Sequence, residues 1–395
     1  MQLTLIIPEL IWPQANERSA FSATAEGKPI AHALSKLLAR SSLQRAPQQA
    51  LEYTLAQQFT WPPALANDFP YAALRQLGES SPIAPESGTA ASDTPDANAS
   101  ASLWLCADPV HLNFQQDKFI VVPGDQLELS LNAMQTLAAD LNHSLAGLTE
   151  HIGLKACLSP ASAERWYLAL TAPTASAYAE LAHTLASAKI QPLSHVAGQA
   201  LQQPLPETKA ARSLRKLLNE IQMLLHVHPF NTARSNAGQS TLNSLWLWGS
   251  SAEALPIRLN SPFQAVWSTQ TLAIGLARAA QIAQHNPPST AAKLFAQMQP
   301  GEHHLVLLED LIDATQKQEA EAYRNTLGGL DQGWFAPLHQ ALRKRQLRRL
   351  NLISSSAYGN LHWHSTALDQ WKIWRTTPSL CKLAKTLAES PNENR

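Results

Sequence analysis

Short apolar runs alternate with stretches of helical periodicity along nearly the whole chain, and this alternation restricts the fold more than any other feature. Residues 3–7 form one such run, closed by Pro8, which cannot donate to a strand ladder. Residues 103–106 and 118–122 read as two strands around a turn. Residues 165–170, 245–248, 266–267, 305–308 and 350–354 read as further strands. Helical spacing fills residues 29–41, 70–77, 130–145, 176–187 and 334–345. The strongest helix covers 211–226, where Leu214, Leu217, Leu218, Ile221, Leu224 and Leu225 share one face and Pro229 follows as the stop. Strands alternating with helices predict an α/β architecture.

Composition narrows the function classes. A length of 395 residues with 45% hydrophobic side chains supports a sizeable core and more than one compact unit. The charged fraction is 15%, below the usual ~25%, so the chain is neither disordered nor supercharged. Thirty basic residues balance thirty acidic ones, which argues against a nucleic-acid binder held by bulk electrostatics. No apolar run approaches the ~20 residues that cross a bilayer. The opening residues lack the basic start and small-residue cleavage site of a signal peptide. The three cysteines, Cys106, Cys157 and Cys381, form no CxxC pair, which suits a reducing compartment. A cytoplasmic location is expected, with no membrane contact. Residues 79–102 carry four acids, no base and no aromatic side chain, and read as a flexible linker.

Polar side chains concentrate after the 211–226 helix, in His228-Pro229-Phe230-Asn231-Thr232-Ala233-Arg234 and again at Asn243. Asparagine both donates and accepts, and arginine offers a planar fork for phosphate or carboxylate. The same groups would equally satisfy backbone carbonyls in a braced turn. His362 and His364 share one face if they lie in a strand, yet a metal needs further ligands, and no zinc spacing is present. Glu309-Asp310 follows a strand, where α/β catalytic groups often sit, or simply opens the next helix. The cluster Arg343-Lys344-Arg345-Gln346-Leu347-Arg348-Arg349 reads as a solvated helix end or a contact for an acidic partner, and no aromatic residue is interleaved with it. GxSxG, GxGxxG and GxxxxGK[ST] are all absent.

The order of these pieces resembles the archaeal-type, cofactor-independent phosphoglycerate mutase family of the alkaline-phosphatase superfamily. His228, Pro229, Asn231, Arg234, Gly238, Asn243 and Gly249 carry the likeness, with Leu74-Arg75-Gln76-Leu77-Gly78, the 103–122 strands and Arg165. Ala107-Asp108-Pro109-Val110-His111-Leu112, Arg165-Trp166-Tyr167 and Trp334-Phe335-Ala336-Pro337-Leu338 also resemble a proteobacterial group of RpfE-type regulatory proteins. The resemblance implies an alkaline-phosphatase-like α/β core with a smaller inserted α/β domain. The core would be residues 1–78 and 229–395, and the insertion 103–228.

The chain departs from the family at the chemistry. The metal-binding Asp-Gly turn is Pro8-Glu9-Leu10, and Phe69-Pro70 stands near the nucleophilic Ser-Asp pair. Glu309-Asp310-Leu311-Ile312-Asp313 replaces the Asp-x-x-x-His motif, and Ser354-Ser355-Ser356-Ala357 the late Asp-His pair. Val122-Pro123-Gly124-Asp125 replaces an arginine-rich substrate stretch. Without ligands or nucleophile, the family's two-metal phosphoryl transfer is lost. A non-catalytic, regulatory or ligand-binding relative is therefore expected, with no cofactor, no metal and no catalytic residue. The expected ligand-binding cleft holds Asn231, Arg234, Asn243, Asp108, His111 and Arg165. Its expected partners are a small anionic or phosphorylated ligand, or a protein. Nucleic acid is not expected. The competing expectation is an active metal-dependent mutase or phosphatase with rearranged ligands.

Overall fold

The computed structural model describes residues 1–14, 16, 20, 30–60, 69–79, 102–115, 118–188, 190–197, 200–201, 208–252, 258–372 and 374–389. In chain order the strands are β1 (Gln2–Ile6), β2 (Ser42–Ala46), β3 (Ser102–Gln115), β4 (Lys118–Pro123), β5 (Lys155–Pro160), β6 (Trp166–Thr171), β7 (Ala200–Leu201), β8 (Ser244–Ala252), β9 (Ala265–Trp267), β10 (Ala283–His285), β11 (His303–Leu307), β12 (Arg349–Ser356) and β13 (Gly359–Thr366). The architecture is α/β. The chain divides into two compact units, Met1–Thr60 with Arg258–Arg395, and Trp61–Ile257.

The first unit is built on a seven-stranded sheet in the order β10-β9-β11-β1-β12-β13-β2. The strands from β10 to β12 run parallel, and β13 and β2 complete the sheet antiparallel. Strand residues alternate in facing. Leu3 and Leu5, with Ile7 just beyond β1, join Val306, Leu350 and Leu352 in one core. Leu34 and Leu37 of the helix His32–Arg40, Tyr323 and Leu327 of Ala320–Leu330, and Leu338 and Leu342 of Ala336–Arg343 pack into that core. The opposite face carries a polar row across four strands. His303 Nε2 lies 3.0 Å from Thr4 Oγ1, Asn351 Nδ2 donates to Thr4 Oγ1 at 3.3 Å, and His364 Nδ1 lies 3.0 Å from Asn351 Oδ1.

The second unit holds a six-stranded sheet. β3 is long enough to pair with β4, β6 and β8, all antiparallel. One face packs under the helices Leu131–Ala146, Ala175–Ala188 and Lys209–Val227 through Met134, Leu141, Leu181, Leu214 and Ile221. The helix expected at 211–226 thus runs Lys209–Val227, capped by Thr208, whose side chain accepts from Ala211 N. The other face carries Trp104, Cys106, Tyr167, Trp246 and Trp248, with Ala72 of the helix Tyr71–Gly78 against them. Gly249 permits this approach. Its φ is +62°, and a Cβ there would lie 2.7 Å from Tyr71 Cβ.

These contacts draw the unit boundaries differently from the expectation of 1–78 with 229–395 against 103–228. The described residues of 61–78 and 229–257 belong to the second unit, because the helix Tyr71–Gly78 and β8 both pack on β3. Of the stretch 79–102, only Glu79 and Ser102 are among the described residues. The expected helix at 334–345 begins two residues later, as Ala336–Arg343, after a π-helical turn at Asp331–Phe335. No helix among the described residues is long and apolar enough to cross a membrane.

Candidate functional site

The six side chains expected to line a cleft lie in the second unit, where each is engaged by its own chain. Asn231, in the helix Pro229–Asn236, donates from Nδ2 to Leu225 O at 2.8 Å and Leu242 O at 2.6 Å. Its Oδ1 accepts from Leu242 N at 2.9 Å. Arg234 donates to Ser240 O at 2.7 Å and Leu127 O at 2.6 Å, with its guanidinium over the Phe230 ring. Asn243 clasps Leu112 of β3, accepting from its N–H at 2.7 Å and donating to its carbonyl at 3.0 Å. His111 Nδ1 lies 2.8 Å from Thr241 O.

Asp108 and Arg165 belong to a buried charge network. Arg75 is 5% exposed and Asp108 3% exposed. Arg75 donates to both Asp108 oxygens at 2.8 and 2.7 Å, and Trp248 Nε1 donates to the same carboxylate at 2.7 Å. Arg75 also donates to Tyr167 Oη at 3.1 Å and to Trp166 O at 3.0 Å. Tyr167 Oη in turn donates to Glu79 at 2.9 Å, and Arg165 pairs with both Glu79 oxygens at 2.9 and 3.0 Å. Burial weighs against the charge on Arg75, but Asp108 and its hydrogen bonds hold it firmly protonated. The sequence left open whether Asn231, Arg234 and Asn243 brace the chain or bind a ligand. The geometry shows the bracing contacts, side chain by side chain.

A different site forms in the first unit, at the C-terminal ends of the parallel strands. Ligands of open α/β sheets bind at that edge because loops and helix starts converge there. β1 ends into Ile7-Pro8-Glu9. The Glu9 backbone takes φ +56°, and its N–H donates to Ser355 O at 2.9 Å. β12 ends in the buried Ser354, Ser355 and Ser356, with Leu10 N–H donating to Ser354 Oγ at 3.2 Å. β11 ends into Leu308-Glu309-Asp310. A cavity of about 570 Å³ opens beside this end. Thr269 after β9, Ser289 after β10, Glu309, Asp310, Thr326 and Trp334 are among its lining residues. Trp334 sits in the π-helical turn, a form that recurs at functional sites.

The carboxyls at this edge are unusual. Burial pushes Glu9 up to about 7. Burial, reinforced by Glu52 and Asp310, pushes Glu309 up to about 7 as well. In the unfolded chain a glutamate ionises near ~4.3, so between that value and 7 the folded chain binds more protons. Stability contributed by Glu309 therefore falls as pH rises through that window. Glu309→Gln cannot ionise, so it should melt above the parent protein at pH 8 and level with it at pH 4. Melting temperatures of both proteins at the two pH values test this, and an offset independent of pH would refute it.

Among the described residues, no group of three or more His, Cys, Asp or Glu side chains could hold a metal ion. His362 and His364 do share a face of β13, but His364 is occupied by Asn351. His304, 3.0 Å from Trp267 Nε1 and 3.1 Å from Glu302, is likewise engaged. Sequence reading flagged Glu309 and Asp310. It missed Thr269, Ser289, Thr326 and Trp334, which are far apart in the chain and meet only at the strand ends.

No protein-family profile matches the chain. A stretch of 60 residues is 35% identical to a probable 2,3-bisphosphoglycerate-independent phosphoglycerate mutase of Geobacter sulfurreducens. The match spans 15% of this chain and 15% of that protein's length. Among solved structures, the PH0037 protein of Pyrococcus horikoshii aligns over 92% of this chain and 87% of its own, with 14% identity and a TM-score of 0.45. The cofactor-independent phosphoglycerate mutase of Thermoplasma acidophilum aligns over 93% of this chain and 90% of its own, with 12% identity and a TM-score of 0.39.

Proposed function

We propose that this chain is a non-catalytic relative of the cofactor-independent phosphoglycerate mutases, acting as a regulatory or ligand-binding protein. In this reading, Met1–Thr60 with Arg258–Arg395 is an alkaline-phosphatase-like core, and Trp61–Ile257 the inserted domain. One observation carries the proposal. The strand ends that would present metal ligands in an active relative carry Pro8-Glu9, Glu309-Asp310 and Ser354 to Ser356, and the described residues include no set of three donors. Two-metal phosphoryl transfer needs carboxylates and imidazoles converging on each ion. The donor set present does not fit that requirement.

The ligand would sit in the cavity beside Glu309. Among the described residues, its lining offers hydroxyls and carboxyls but no Lys, Arg or His. A phosphorylated or otherwise anionic ligand would find no counter-charge among those side chains, so a neutral hydroxylated or cationic ligand suits the cavity better. The reading is tested by elemental mass spectrometry after incubation with manganese and zinc, followed by mutase and phosphatase assays. The expected result is no stoichiometric metal and no turnover. About two metals per chain with phosphate release would instead establish an active enzyme with rearranged ligands.

A further inference from the structure

Among the described residues, the most exposed large apolar side chains of the first unit cluster just after β13. Leu368 is 72% exposed, Trp371 62% and Trp374 75%. Leu368 and Trp371 flank and end a 3₁₀ turn at Asp369–Trp371, whose period places residues three apart on one side, and Trp374 follows three residues on. Trp371 N–H donates to Leu368 O at 3.1 Å, which closes the turn. The inward side of the turn is fixed. Asp369 accepts from Thr366 and Lys372, and the buried Gln370 donates to Ser365 Oγ. The stripe thus stands on an anchored base.

Cations gather beside it. Arg40 Nη1 donates to Gln370 O at 2.9 Å and lies 3.3 Å from His339 Nε2, tying the helix Ala336–Arg343 to the turn. Arg375 Nη1 donates to Ala39 O and Ser41 O. His339 and Arg343 stand four apart in one helix, as Lys36 and Arg40 do in the helix His32–Arg40, so these side chains share neighbouring faces; burial first, then Arg40, Arg343, Lys36 and His32, hold His339 down to about 4. Arg343, Lys344, Arg345, Arg348 and Arg349 follow, all exposed and without an ion-pair partner among the described residues.

We infer that Leu368, Trp371 and Trp374, together with Lys36, Arg343 and Arg375, form a docking site for an anionic lipid bilayer surface. Reversible membrane docking takes two signals, apolar insertion and a basic patch, and this surface carries both. Tryptophan favours the headgroup level, where its ring is buried and its N–H stays wet. The shape favours a flat partner. Leu368, Trp371 and Trp374 are each more than 60% exposed, so their apolar surface is open to a broad partner. Single-stranded nucleic acid would use the indole faces and the cations but would leave the aliphatic Leu368 without a role. The site is separate from the cavity edge and does not depend on the proposed function.

The test is co-sedimentation of the full chain with phosphatidylcholine vesicles and with vesicles also containing phosphatidylglycerol. The chain should pellet with the mixed vesicles only, and high salt should release it. Trp371→Ala combined with Trp374→Ala should weaken pelleting about tenfold or more, through the lost apolar insertion. These side chains are exposed, so the variant's melting temperature should match that of the parent protein. Arg343→Gln with Lys344→Gln should weaken pelleting separately. The inference is overturned if the parent protein stays in solution with mixed vesicles, or if the tryptophan variant pellets equally. Capture of an oligo-dT strand without vesicle binding would also overturn it and assign the surface to nucleic acid.

Discussion

Arg75→Ala should destabilise the second unit by about 3–5 kcal/mol, the usual cost of removing one partner from a buried ion pair. Among the described residues Arg75 is the one cation bonded to Asp108, which would then keep the Trp248 N–H as its side-chain donor. It also ties the helix Tyr71–Gly78 to β3 and β6 through Asp108, Tyr167 and Trp166 O. Against a typical stability of ~5–15 kcal/mol, a loss of this size is plain in urea unfolding. Replacing both partners, as Arg75→Met with Asp108→Leu, should cost less than Arg75→Ala alone, because no bare charge is left behind. If Arg75→Ala unfolds at the same urea midpoint as the parent protein, the network does not hold the unit together.

Asn231→Ala should cost about 2–4 kcal/mol, since it removes three hydrogen bonds from buried backbone groups, both polar groups of Leu242 among them, and leaves Leu225 O to the His228 N–H. The three bonds link Leu225, near the end of the helix Lys209–Val227, to Leu242, just before β8. The loss should appear in the absence of any ligand. Asn231→Asp keeps the acceptor but removes both donors, so it should also destabilise. A variant with unchanged stability would return Asn231 to the ligand-binding role that the sequence left open.

The contrast between Asn231 and Glu309 shows how much of the site was legible. Asn231, Arg234 and Asn243 stood out because several polar residues crowd into a short stretch. Crowding along the chain does not say where a side chain points. Here each turns onto a nearby backbone group, the usual partner for a side-chain hydrogen bond. Glu309 could be placed at a strand end from the apolar run before it. Its shifted ionisation depends first on burial and then on Glu52, neither of which is local in sequence, with Asp310 the one neighbour legible beside it. The basic run 343–349 was equally visible, but its aromatic neighbours come from residues 368–374, across the next two strands. The run therefore read as basic without aromatics, while the fold ties the turn that carries Trp371 to its helix through Arg40.

The sequence by itself determined the local elements and the α/β class. Apolar periodicity marks β1, β11 and β12, the helix Leu131–Ala146 and the helix Lys209–Val227, because their burial depends on spacing within a single segment. Only the tertiary structure decided which unit claims the helix Tyr71–Gly78, since that rests on Arg75 reaching Asp108, 33 residues away. It alone showed that Asn231, Arg234 and Asn243 hydrogen-bond backbone groups and that a cavity opens at the strand ends. Such properties belong to pairs of groups distant in sequence, and no local pattern encodes the distance or burial that sets their energy.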